Sequence, residues 1–134
     1  MREILFRGRR KKGDKRWVEG YLTYGYADYV GIVNRCCAGT SFEVVPETVG
    51  QYTGMKDKNG VRVFEGDIII TDNKWKNQGY SVVKYSDENT AFVLECQHSG
   101  EMLGEPFGMN YFSNNIEVIG NIYDNPELLE GDKT

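Results

Sequence analysis

The chain has 134 residues, a mass of 15.3 kDa and a net charge of −4, a size that fits one domain of roughly 100–150 residues, or two small lobes, and is enough to bury a core without staples. No apolar run approaches the roughly 20 residues of a membrane span, and Met1-Arg2-Glu3-Ile4 lacks the apolar core of a secretory signal, so an intracellular protein with no membrane partner is expected. Nine Tyr and six Phe, many β-branched residues and the lack of a sustained helical period exclude a helical bundle and indicate a mainly β chain.

Taken in order, residues 2–7 alternate and read as a first strand, and the charged run from Gly8 to Lys15 reads as a long hairpin tip. Trp17–Leu22 and Ala27–Val33 follow as strands joined near Gly25. Residues 34–41 form a small-residue connection, and Phe42–Val45 is a short strand stopped by Pro46, which can offer the ladder no N–H. Asn59-Gly60 tolerates positive φ at both central positions of a type I′ turn and is expected to reverse the chain between Gln51–Thr53 and Val61–Phe64. Glu65-Gly66-Asp67 then breaks the apolar pattern before the buried strand Ile68–Ile70. Residues 72–79 read as loop, Tyr80–Tyr85 and Thr90–Cys96 as a second hairpin across residues 86–89, and 97–114 as loop with one turn of helix at most. Ile116–Tyr123 is a last strand, and Asn125-Pro126-Glu127 opens a short helical turn.

These elements add up to a small antiparallel β-barrel, SH3-like or related, of about eight to ten strands with at most short helices. A weak echo runs through the order. Trp17-Val18-Glu19-Gly20 resembles Val63-Phe64-Glu65-Gly66, and Phe42–Val45 resembles Ile116–Ile119. Either one domain or two similar lobes, 1–54 and 61–124, accommodates it.

Charge is uneven: residues 2–16 carry eight Lys/Arg against Glu3 and Asp14, and the remainder eight Lys/Arg against eighteen Asp/Glu. Arg7, Arg9, Arg10, Lys11, Lys12, Lys15 and Arg16 beside Trp17 are the candidate nucleic-acid or anion-binding residues, because phosphates need clustered cations and single strands favour an aromatic platform. Arg9 to Lys12 are expected to project from an acidic body, where they find no core partners and are solvated or bind an anion. A solvated hairpin tip is the plain alternative. Cys96 and His98, two apart, could join Cys36 and Cys37 as zinc ligands or act as a nucleophile–base pair. Adjacent cysteines suit tetrahedral ligation poorly, however, and no orienting third group is visible. Three cysteines are an odd number, so reduced thiols are expected, with no metal and no cofactor. Gly50 and Gly54 lie among strands rather than opening a helix, which is unlike a phosphate loop. Glu47, Glu65 and Asp67 read as turn-capping acids more readily than as a catalytic pair.

Arg2-Glu3-Ile4 with Phe6-Arg7-Gly8, Trp17–Gly20, Thr48–Gly60, Phe64–Ile69 and Ile116–Leu129 together resemble the YopX-like family of phage and prophage proteins. The resemblance implies a phage or prophage origin, a bacterial cytoplasmic location and a mainly β fold, and carries over no catalytic residue. The expected role is a non-catalytic accessory module that binds a macromolecule, protein or nucleic acid, or self-assembles as a homo-oligomer. The alternative is a small hydrolase or metal-dependent enzyme using Cys96, His98 or the carboxylates.

Overall fold

The computed structural model describes residues 3–34, 40–71, 80–88, 90–96 and 116–130. Ten strands, a 3-10 turn and one α-helical turn are found there, the strands in two antiparallel sheets. The chain is therefore mainly β, as its composition implies, but among the described residues the strands do not close into a barrel. Two compact units divide it, Met1–Tyr52 and Thr53–Thr134.

In the first unit, β1 (Phe6–Arg9), β2 (Trp17–Tyr24), β3 (Val30–Asn34) and β4 (Ser41–Glu43) follow one another as antiparallel neighbours, and the start of β5 (Gly50–Lys56) pairs with the other side of β1. Strand β1 starts four residues later than the alternation suggests and runs on through Gly8, which lies under Val44; a Cβ on Gly8 would sit 3.0 Å from the Val44 side chain. The chain after β4 returns to β1 by an Arg10–Val44 bridge, with Val45 N–H donating to Arg9 O and Lys11 N–H to Glu43 O, both at 2.9 Å. Thr48 fixes this return, its hydroxyl donating to Val45 O and accepting from Arg9 N–H. Val18, Ile32 and Val44 form the core on the inner face, flanked by Phe6, Leu22, Val30, Phe42 and Val49.

The β2–β3 turn departs from sequence preference. Ala27 and Asp28 have φ of 54° and 62°, and Tyr29 N–H donates to Tyr26 O at 3.0 Å. Both central residues are thus left-handed, the requirement of a type I′ turn, without the glycine that normally supplies it.

In the second unit, β5 continues into a hairpin with β6 (Arg62–Phe64), and a four-stranded sheet has the order β10 (Ile116–Asn121), β7 (Asp67–Thr71), β8 (Ser81–Ser86), β9 (Ala91–Cys96). Strand β7 lies between two neighbours, and Ile68 and Ile69 are both fully buried, which is why its sequence is a continuous apolar run and not an alternation. Val63, Ile69, Val83, Leu94 and Ile116 form the core. Tyr85 and Phe92 face each other across β8 and β9 with ring centroids 5.3 Å apart, edge to face. The terminal turn α1 (Glu127–Glu130) is found where expected. Asn125, however, uses its side-chain oxygen to accept from Asn121 N–H at 3.2 Å, back toward β10.

The β5–β6 hairpin exists, but not with a type I′ turn at Asn59-Gly60. Gly60 alone has positive φ, 83°, and the hydrogen bonds run from Gly60 N–H to Asp57 O and from Asp57 N–H to Val61 O. This is a three-residue loop, Lys58 to Gly60, with glycine at its left-handed end. The buried Asp57 carboxylate explains the difference: Oδ1 accepts from Asn59 N–H at 2.8 Å and Val61 N–H at 2.9 Å, and Oδ2 accepts from Val118 N–H at 3.0 Å. A second carboxylate acts alike at the next turn, where Asp67 Oδ2 accepts from Phe64 N–H at 2.8 Å around Gly66, φ 88°. The echoed glycines therefore differ in role, since Gly20 is paired inside β2 and Gly66 is in a turn. Expected loops 72–79 and 97–114, and Cys36, Cys37 and His98, lie outside the described residues.

Asp57→Ala should cost about 2–4 kcal/mol, because three N–H groups lose one acceptor. Gly60→Val should cost more than about 1 kcal/mol through backbone strain alone, since no neighbouring atom lies near its Cβ position. Urea unfolding measures both; an Asp57→Ala variant as stable as the parent would show that the carboxylate does not hold the hairpin. Conversely, Ala27→Gly should raise stability by about 1 kcal/mol, the left-handed penalty of alanine less the entropy of glycine, and a lowered midpoint would contradict that.

Candidate functional site

Strand periodicity builds the candidate site. In β1 and β2, Arg7 is opposite Glu19 and Arg9 opposite Trp17, while Phe6, Gly8, Val18 and Gly20 pair between them. Directly opposed residues share a face and successive residues alternate, so Arg7, Arg9, Trp17, Glu19 and Tyr21 all lie on the outer face, opposite the core. The Arg7 and Arg9 guanidinium carbons lie 4.9 and 5.5 Å from the Trp17 ring centroid, a double cation–π contact. Of the eight residues singled out by sequence, these three are brought together on the sheet itself.

The other five belong to the end of the hairpin, where Arg10 N–H donates to Arg16 O at 2.9 Å. The expectation that Arg9 to Lys12 find no core partners and are solvated or bind an anion is corrected for Arg10 and Lys11. Arg10 lies over the Phe42 ring at 4.7 Å and pairs with Asp14 at 3.5 Å. Lys11 pairs with Glu43 at 3.5 Å. Arg16 makes two contacts of 2.6 Å to Asp14. The reason is the return of the chain after β4, which lays Phe42 and Glu43 beside β1. Lys12 and Lys15 alone among these five are exposed without an ion pair to the described residues. Asp14, placed among these cations, has its carboxyl pKa lowered chiefly by the Arg16 side-chain hydrogen bond, then by the Arg16 N–H and by the charges of Arg16 and Arg10.

Two aromatic residues that sequence reasoning did not single out share the face. Tyr21 is 54% exposed and stands opposite Val33. Tyr29 lies across Gly31, where a Cβ would sit 2.6 Å from its ring, and its hydroxyl is 2.7 Å from Ser41 Oγ. Tyr21 follows from the alternation Trp17, Glu19, Tyr21. Tyr29 does not, because it depends on the bare surface over Gly31. The acids weighed in the sequence are scattered: Glu65 and Asp67 flank the turn at Gly66, Glu47 lies in a short 3-10 turn (Pro46–Thr48), and no group of three or more His, Cys, Asp or Glu is arranged for a metal among the described residues. No helix there is long and apolar enough to cross a membrane.

Fold and face together define a mainly β protein with a cationic–aromatic sheet surface. The chain belongs to the family described as YopX protein, whose pattern matches residues 6–130. It is similar to the crystal structure of protein EF1440 from Enterococcus faecalis, with 27% identity, a TM-score of 0.61 and coverage of 96% of this chain and 99% of that one. No match is found among curated proteins.

Because the folded-state pKa of Asp14 is depressed, its stabilising contribution is present above the ordinary carboxylate range and is lost as pH falls through the lowered value. A carboxyl-detected NMR titration should place the Asp14 midpoint lower in the parent than in Arg16→Gln. Coincident midpoints would show that the Arg16 contact does not persist in solution.

Proposed function

We propose that this chain is a phage or prophage accessory protein of the bacterial cytoplasm, a non-catalytic module that holds an anionic macromolecule on the outer face of β1 and β2. The carrying observation is the stacking of Arg7 and Arg9 on Trp17 at one end of a surface whose tip presents the exposed Lys12 and Lys15. Cations fixed over a ring lose little freedom when a ligand arrives, and exposed lysines add charge at the same end. The same reading takes the first unit as a small SH3-like barrel, supported by the Arg10–Val44 bridge that carries the chain after β4 back to β1.

The substitutions that test it are set by the ion pairs. Reversing Arg10 or Lys11 would place an acid against Asp14 or Glu43, so a loss of binding there would mix charge with local repulsion. Lys12→Glu with Lys15→Glu avoids this, and exposed changes of that kind move stability by no more than about 0.5 kcal/mol each. Affinity for a heparin fragment should fall with rising salt, and the double reversal should weaken it further while leaving the unfolding midpoint in place. Absence of binding to heparin at low salt would retire the proposal.

A further inference from the structure

We infer that the occupant of this face is a single-stranded nucleic acid, with bases stacked at Tyr21 and at the arginine-capped Trp17 and the backbone drawn to Lys12 and Lys15; this rests on the anionic-partner reading above. Trp17 and Tyr21 are four residues apart on one side of one extended strand, so they lie about 13 Å apart along it. Tyr29, just before β3, lays its ring on the same face over Gly31 toward Ser41 of β4. A duplex offers such a row only stacked base pairs that it cannot reach, whereas an unpaired strand presents the π-face of every base. The guanidinium planes of Arg7 and Arg9 suit the same partner, because a base can stack on a guanidinium as well as on a ring. An acidic peptide would use the cations and leave the tyrosines idle.

Glu19 is the acid beside the two rings that opposes a polyanion; Glu43, which the register places on the same face, is paired with Lys11. Glu19 sits between Trp17 and Tyr21, with Arg7 directly opposite. The arrangement therefore predicts a gain as well as losses: Glu19→Gln should tighten binding, an outcome that misfolding cannot mimic. It also favours a short bound segment over a long uniform contact, since the run of positive potential is broken within one strand.

The chain has two tryptophans, so Trp75→Phe leaves Trp17 as the sole tryptophan, read apart from the tyrosines by excitation at the red edge. In that background an oligo-dT should quench Trp17 and bind more tightly than duplex DNA of equal length. Tyr21→Ser should weaken dT binding by about 5- to 150-fold, the range for one lost base–aromatic stack, with heparin affinity unchanged. Glu19→Gln should strengthen dT binding. Trp17→Phe, which keeps a ring under the arginines, should retain part of the affinity. Equal binding of duplex and dT, no quenching, or a Tyr21→Ser variant that binds dT like the parent would overturn the inference while heparin binding still supports an anionic partner. Loss of heparin, duplex and dT binding alike would remove the broader reading with it.

Discussion

The second unit depends on one carboxylate. Asp57 is buried, yet its two oxygens take three backbone N–H groups, from Asn59, Val61 and Val118. A buried carboxylate is costly unless its lone pairs are filled, and here they are filled by donors that would otherwise lack acceptors. Oδ1 curls the chain into the short loop, which leaves Gly60 to take the left-handed step. Oδ2 reaches β10 beside the point where its register against β7 slips between Val118 and Gly120. Lys58 N–H, donating to Ile116 O at 3.1 Å, adds a second tie between the same two segments. Hairpin, bulge and strand edge are thus set together, and none of them is a free choice once Asp57 is in place.

The first unit is governed by a different constraint, the twofold alternation of β1 and β2. Phe6 and Val18 must face inward to meet Ile32 and Val44, and that places Arg7, Arg9, Trp17 and Tyr21 outward as a consequence. A one-residue slip would exchange the two sets and bury guanidinium groups, so the core fixes the register and the register fixes the face. The outer cluster is therefore positioned by residues that never touch it. Its rigidity comes from the same source, because Arg9 is held from both sides in the backbone, by Trp17 pairing and by the Thr48 hydroxyl.

How much of this was legible depended on how local each cause was. Strand β2, the strand through Ile68–Ile70, the β8–β9 hairpin and the terminal turn are set by patterns within a few residues, and the sequence shows them. Asn59-Gly60 marks the place of the turn but not its type, since the deciding group is a side chain two residues earlier that also serves a strand about 60 residues on. The strained turn at Ala27-Asp28 carries little signal, because alanine disfavours positive φ and aspartate adopts it only occasionally, so hairpin geometry overrides the preference. The basic tip was recognised as a tip. That Arg10 and Lys11 lie on Phe42 and Glu43 could not be read, as those contacts span some thirty residues through the return of the chain after β4. Of the face itself, Arg7, Arg9 and Trp17 were visible as a cluster, Tyr21 was recoverable from alternation, and Tyr29 needed the knowledge that Gly31 leaves room for its ring.

Charge gives the last constraint on what such a face can hold. The first unit has nine Lys/Arg against six Asp/Glu, and the second seven against fourteen, so the overall −4 conceals +3 and −7. At physiological salt the screening length is about 8 Å. A ligand in contact with Trp17 therefore responds to Arg7, Arg9 and Glu19 and hardly to charges farther off than that distance. Net acidity, which argues against a nucleic-acid binder when the whole chain is counted, loses its force at contact range. It acts instead at long range and low salt, where an approaching polyanion meets the field of the entire molecule. Encounter and grip thus depend oppositely on the acidic residues: salt weakens the phosphate contacts by counterion competition but also removes the repulsion that slows approach, so the on-rate should be far less salt-sensitive than the off-rate.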